Sequence, residues 1–201
     1  MFTAPDNKTS KTGVNIPSRT VVCQQLEPPI VVDTNTIYTQ HPQMEEVRVD
    51  MAGMKIDSRP VELVTSVGSC VGICLYDKIH KCGGLAHIML PHSHLGLHEP
   101  LPSKFANTAV VALTNGIRAL TGQETRLTGK IAGGANMFAN TGAKGLEIGG
   151  RNIEAVRQAL TAARIRITGE DVGGSNGRRI SFNLVTGEVT VKIHSGEKKK
   201  I

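Results

Sequence analysis

Thr65-Ser66-Val67-Gly68-Ser69-Cys70-Val71-Gly72-Ile73-Cys74-Leu75-Tyr76-Asp77 leads, across a polar turn from Asp77 to Lys81, into Gly83-Gly84-Leu85-Ala86-His87-Ile88-Met89-Leu90-Pro91. The pattern is strand, tight turn, strand, turn, strand. Val61 to Val67 and Val71 to Tyr76 are rich in β-branched and apolar residues, which suit a pleated, buried surface. Gly68 and Ser69 break the run, and a glycine there permits a sharp bend without a Cβ clash. Cys70 therefore stands at a bend, where its sulfur can be presented to a ligand. If the strands are neighbours, His87 on the third can meet it. A thiol beside an imidazole is the minimum equipment for nucleophilic acyl chemistry. By itself the pair also fits an inert buried cysteine and a satisfied core histidine.

Outward from this stretch, Pro60 introduces the first strand, and Glu46 to Ile56 alternates weakly and begins the domain. Residues 1–45 have little periodicity and many Thr, Asn, Gln and Pro, and read as a flexible N-terminal extension. Within it, Val21-Val22-Cys23 and Ile30-Val31-Val32 could add edge strands. Downstream, Ser103 is the expected N-cap of a helix with an apolar stripe at Phe105, Ala109, Leu113, Ile117 and Leu120, and Gly122 suits its stop. Arg126 to Ile131 alternates like a strand. A second helix is expected from Asn152 to Ala163, with the stripe Ile153, Val156, Leu160 and Ala163. Ile165 to Thr168 reads as a short strand. Arg179 to Leu184 and Glu188 to Ile193 read as a hairpin about Thr186-Gly187, and Lys198-Lys199-Lys200 as a solvated end. Many strands with two well-marked helices make an α+β layered fold.

The 201 residues suit one domain, residues 46–201, with a sizeable core. A formal charge of +6 is spread along the chain, and aromatics are scarce, with no Trp, two Tyr and four Phe. A base-stacking nucleic-acid reader needs more; a weak basic bias suits an acidic protein surface. The cysteines at 23, 70, 74 and 82 form no disulfide framework and no Cys-x-x-Cys. No basic cluster precedes an apolar segment at the N-terminus, and no run is long enough to span a membrane. A reducing cytoplasm fits. His92, His94 and His98 follow Pro91, and with the nearby cysteines a zinc site is conceivable. The spacing matches no standard finger or ribbon, so no metal and no cofactor are expected. Gly133-Gly134 and Gly173-Gly174 lack the Walker and dinucleotide spacings and read as turn glycines.

The motifs resemble the CheD family, the chemoreceptor glutamine deamidases of bacterial and archaeal chemotaxis. That family carries Thr…Gly-Ser-Cys-Val…Cys-Leu-Tyr-Asp and then Gly-Gly…Ala-His-Ile-Met-Leu-Pro. Lys130 to Phe138 resembles its Gly-Gly-Ala-x-Met-Phe loop, Ile148-Gly149-Gly150-Arg151-Asn152 its Ile-Gly-x-Arg-Asn helix start, and Glu170 to Arg178 its Asp-x-Gly-Gly-x-x-Gly-Arg segment. The blocks stand in family order from about Val47 to Lys192. Asp50-Met51-Ala52-Gly53-Met54 departs from the family's Gly-x-Gly-Glu-like turn.

The resemblance implies an α/β/β/α-type sandwich of mixed sheets with two main helices. It also implies deamidation of chemoreceptor glutamines through a Cys70 thioester, with His87 as base and no cofactor. Thr65 resembles the family's third polar residue, which orients the histidine; Ser66 competes for that role. Backbone N–H groups of Gly68, Ser69 and Val71 are the natural oxyanion donors. Met137 and Phe138 fall where the family receives partners, with loop anchoring as the plain alternative. The implied partners are cytoplasmic receptor helices and a CheC-type phosphatase, with no nucleic acid and no membrane insertion. A non-catalytic module regulating such a phosphatase is the competing class, and an amidase acting on another substrate is a third.

Overall fold

The computed structural model describes residues 44–122, 125–136, 147–193 and 196–201. These belong to one compact unit, His41–Ile201. Residues 1–43 of the expected extension, and Met137 and Phe138, lie outside the described residues.

Among the described residues, ten strands and two α-helices build the unit: β1 Glu45–Arg48, β2 Met54–Asp57, β3 Val61–Val67, β4 Val71–Asp77, β5 Cys82–Ile88, α1 Ala106–Thr121, β6 Leu127–Gly133, α2 Ile148–Ala162, β7 Arg166–Val172, β8 Arg178–Asn183, β9 Val189–Ile193 and β10 Lys198–Lys200. Sheet I has the order β1-β3-β8-β9-β10 and sheet II the order β2-β5-β4-β6-β7. Each is mixed: β1 runs parallel to β3, and β6 parallel to β7, with every other pairing antiparallel. The architecture is an α+β sandwich. The sheets pack face to face through Leu63, Ile180, Phe182, Val189 and Val191 of one against Cys74, Tyr76, Leu85 and Ala132 of the other. Both helices lie on the far face of sheet II, where Ala109, Leu113, Ile117, Val156 and Leu160 meet Val71, Ile73, Ala86 and Ile131.

This layering explains the strand patterns. Sheet II is covered on both faces, so β4 and β5 are buried at every position, and their sequences are near-continuous apolar runs. The β3 strand buries Val61, Leu63, Thr65 and Val67 inward and exposes Ser66. Gly72 lies on the inward face of β4, where a Cβ would run into the Ile180 side chain of the facing sheet. A glycine there lets the sheets approach closely.

Several local expectations need correction. Ser103 is no N-cap. It lies in a 3-10 turn, Pro102–Lys104, and its hydroxyl donates to the Ala52 carbonyl. Helix α1 starts after an extended Phe105 with no side-chain cap, while Thr108 Oγ1 closes the turn on Pro102 O at 2.6 Å. The stripe ends at Ile117; Leu120, in the last turn, is 56% exposed, because periodicity gives a helix's buried side but not how far it outruns its support. Helix α2 starts four residues before Asn152, and Ala163 is its exposed C-cap. The β7 strand extends to Val172 because β6 supplies a parallel partner on both sides of a register shift at Thr168. The Lys198–Lys200 segment is an edge strand on β9, and Ile201 N–H donates to Val189 O at 3.0 Å. Backbone pairing is indifferent to side-chain charge, and edge lysines are tolerated with their ammonium groups in water. Gly122, in the left-handed region at φ 62°, ends α1.

Phe182 is fully buried between the sheets, edge-on to Tyr76 with ring centroids 5.9 Å apart. We expect Phe182→Ala to cost about 3–5 kcal/mol, read as a lower urea midpoint with an unchanged slope.

Candidate active site

The chain leaves sheet I at Val67 and joins sheet II at Val71. The three residues of the crossing, Gly68, Ser69 and Cys70, have their carbonyls held one by one. Ala135 N–H donates to Gly68 O at 2.8 Å, Asn152 Nδ2 to Ser69 O at 3.0 Å, and Gly134 N–H to Cys70 O at 2.7 Å. Peptide planes pinned by their oxygens have fixed N–H directions. Among the described residues the N–H groups of Gly68, Ser69 and Cys70 donate to no backbone acceptor, whereas Val71 is already within β4.

The glycine segments make this bracing possible. Gly133 has φ 119°, and a Cβ there would strike the Cys70 carbonyl oxygen. Only glycine lets the following N–H come so close. The second glycine segment supports the first: Gly173 N–H donates to Gly133 O at 2.9 Å and Asn136 N–H to Gly174 O at 2.7 Å. Buried Arg178 fixes that segment through Gly173 O, Asn176 O and a 2.6 Å ion pair with Asp171. These donors are spent on the protein's own carbonyls and form no phosphate cradle.

Strand register brings Cys70 and His87 to one face. His87 stands opposite Gly72 across the β4–β5 pair. Directly opposite residues share a face, so His87 lies on the side facing sheet I, and Cys70, two residues before Gly72, packs against the same inter-sheet core. From that sheet Thr65 Oγ1 meets His87 Nδ1 at 2.8 Å. Ser66 points to the outer face and is exposed. The Thr65 hydroxyl also donates to Val49 O at 2.8 Å. A hydroxyl has one proton and a carbonyl can only accept, so Thr65 accepts the Nδ1 proton of neutral His87. The tautomer is thereby set: Nδ1 carries hydrogen, and buried Nε2, which has no hydrogen-bond partner among the described residues, carries the lone pair. Burial holds the His87 imidazole below its ordinary pKa and pushes the half-buried Cys70 thiol up, against a smaller opposing pull from its own backbone N–H. Both shifts favour the uncharged forms of thiol and imidazole.

Asn152 carries no role in the sequence reading. It is fully buried in the first turns of α2, and its amide also donates to Met89 O at 2.9 Å, two residues beyond His87. One side chain thus ties the Cys70 turn to the end of the His87 strand. The signal for it was an asparagine beside the apolar stripe Ile153, Val156 and Leu160. Cys74 and Cys82 are core residues, Cys74 with its thiol pushed far up by complete burial. Among the described residues no three His, Cys, Asp or Glu side chains converge on a metal position, and no helix is long and apolar enough to cross a membrane.

A family model described as CheD chemotactic sensory transduction matches residues 89–193. The chain is 42% identical over 149 residues to the probable chemoreceptor glutamine deamidase CheD of Desulforamulus reducens, covering 73% of this chain and 90% of the relative. The chain belongs to the CheD family. The chemoreceptor glutamine deamidase CheD of Halalkalibacterium halodurans is 42% identical over 157 residues, 76% of this chain and 97% of its own length. The CheD of Thermotoga maritima, with the same description, is 41% identical over 144 residues, 71% and 88% of the two chains. The CheD relatives extend over most of this chain, whereas the family model begins at Met89, after the Cys70 turn and His87.

Two outcomes test the geometry. Asn152→Ala orphans the carbonyls of Ser69 and Met89, and we expect a loss of about 2 kcal/mol in urea unfolding. In a pH titration followed by NMR, the His87 ring should titrate below the ordinary imidazole value, and alkylation of Cys70 by iodoacetamide should have its midpoint above the ordinary thiol value. The unfolded chain holds the histidine proton more tightly than the folded one. His87 therefore lowers stability as pH falls from the ordinary imidazole value to its folded value, and lowers it no further below that.

Proposed function

We propose that this chain is a protein-glutamine deamidase that converts chemoreceptor glutamines to glutamates, with Cys70 as nucleophile, His87 as general base and acid, and Thr65 as the group orienting the imidazole. The observation that carries the reading is the Val49–Thr65–His87 relay, which puts the lone pair on Nε2, an atom with no hydrogen-bond partner among the described residues. The names of the CheD relatives supply the substrate class.

The chemistry follows from these groups. A glutamine side-chain carboxamide enters above the turn. His87 Nε2 takes the Cys70 proton as the sulfur attacks the amide carbon, so the neutral resting pair becomes charged only as the tetrahedral intermediate forms. The oxyanion is met by the N–H groups of Ser69 and Cys70, and by that of Gly68 if the substrate sits deeper; Val71, a strand residue, contributes less. Imidazolium returns its proton to the leaving nitrogen, ammonia departs, and a thioester remains. Water deprotonated by His87 then releases glutamate and restores the thiol. The new carboxylate changes repulsion between receptor helices, which gives the modification its signalling effect. Residues 46–201 form the deamidase domain on this reading, and residues 1–45 an appended extension. Met137 and Phe138 stay candidates for partner contact, including contact with a CheC-type phosphatase.

Mass spectrometry of a glutamine-bearing chemoreceptor cytoplasmic fragment tests the reading. Incubation with the full chain should add about one dalton at specific glutamines, since an amide nitrogen is exchanged for oxygen. Cys70→Ala should give none, and His87→Ala should slow conversion by about 10²–10⁴-fold. No conversion by folded wild type, with phosphatase binding retained, would favour the non-catalytic module. Conversion by Cys70→Ala would refute the nucleophile.

A further inference from the structure

Sheet I carries a line of positive charge on the face turned away from His87. In β3, Thr65 points inward, so Ser66 points outward. Ser66 stands opposite Arg179 of β8, Arg179 opposite Lys192 of β9, and Lys192 opposite Lys198 of β10. Residues directly opposite share a face, so the four form one row across the sheet, and all four are exposed. Arg179 makes an exposed pair with Glu46 at 2.7 Å; among the described residues Lys192 and Lys198 pair with no carboxylate. The row borders a groove of about 760 Å³ whose lining includes Ser66, Gly68, Asn176, Arg178, Arg179 and Lys192. Gly68 belongs to the crossing that holds Cys70, so the groove opens directly beside the reactive turn.

We infer that this groove and its cationic row dock an acidic helical segment of the polypeptide substrate next to the glutamine being deamidated, an inference that rests on the deamidase reading. Spacing supports it. Neighbouring strands lie about 4.8 Å apart, and a helix rises about 1.5 Å per residue. A helix laid across the strands meets successive cations about every three residues, so carboxylates at i, i+3 and i+7, all on one helix face, fall beside Arg179, Lys192 and Lys198. The reaction supplies matching charge, because each turnover leaves a carboxylate on the segment. Single exposed ion pairs are weak, but a row of like charge steers an oppositely charged partner and fixes its register. No aromatic side chain lies in the row to stack a base.

Fluorescence anisotropy with a labelled chemoreceptor cytoplasmic fragment tests this, in the full chain carrying Cys70→Ala so that the fragment is not altered during the measurement. Lys192→Glu is compared with Lys78→Glu, the same charge change at an exposed turn position at the other end of β4 from Cys70. We expect Lys192→Glu to weaken binding about tenfold at low salt, with the difference shrinking toward 0.5 M salt at roughly half a nanometre of screening length, and Lys78→Glu to change it less than about twofold. Equal losses in the two variants, no loss in Lys192→Glu, no binding of the fragment at all, or tighter binding of anionic lipid vesicles or duplex DNA than of the fragment would overturn the inference. Failure of the deamidase reading looks different: wild type leaves every glutamine unconverted, yet Lys192→Glu still selectively releases the fragment.

Discussion

Strands β3 and β4 are consecutive in the chain but lie in different sheets, so the backbone must change sheets within Gly68, Ser69 and Cys70. A crossing this short holds half-buried peptide groups that neither sheet pairs. The structure answers with three donors from two distant places: Gly134 and Ala135 after β6, and Asn152 in α2. Unpartnered buried carbonyls are costly, so the crossing stands only if β6, the glycine segments and α2 are all in position. The same pinning fixes the peptide planes that lead into Cys70. Stability of the crossing and preorganisation of the candidate oxyanion site are one arrangement.

The second dependence runs between the sheets. Thr65 belongs to sheet I and His87 to sheet II, and their hydrogen bond exists only because the sheets pack closely over Gly72. Thr65 in turn gives its proton to Val49, which follows β1. The tautomer of one imidazole is thus decided by a carbonyl outside its own sheet. The same burial between the sheets disfavours the charged forms of both His87 and Cys70.

The two faces of sheet I serve different ends. The inward face supplies Leu63, Ile180 and Phe182 to the core and Thr65 to His87. The outward face shows Ser66, Arg179, Lys192 and Lys198 to solvent. Alternation along a strand means that Thr65 and Ser66, adjacent in sequence, face His87 and the solvent respectively. A one-residue slip in β3 would exchange them.

The sequence by itself determined the strand–turn–strand around Cys70, the strand bearing His87, the hairpin about Gly187 and the general positions of both helices, because hydrophobic period and turn glycines are local properties. Its ordered motifs also carried the family. It left Thr65 and Ser66 as rivals, since choosing between them requires the register of β3 against a strand in another sheet. It gave Asn152 no role, since the carbonyls that residue holds belong to residues 83 and 63 positions earlier in the chain. It read Ser103 as a cap and Lys198–Lys200 as a loose end, because local propensity does not reveal that Ala52 awaits a donor or that β9 offers a free edge. The tertiary structure decided what depends on partners distant in the chain: the tautomer of His87, the bracing of the Cys70 turn and the alignment of cations across sheet I.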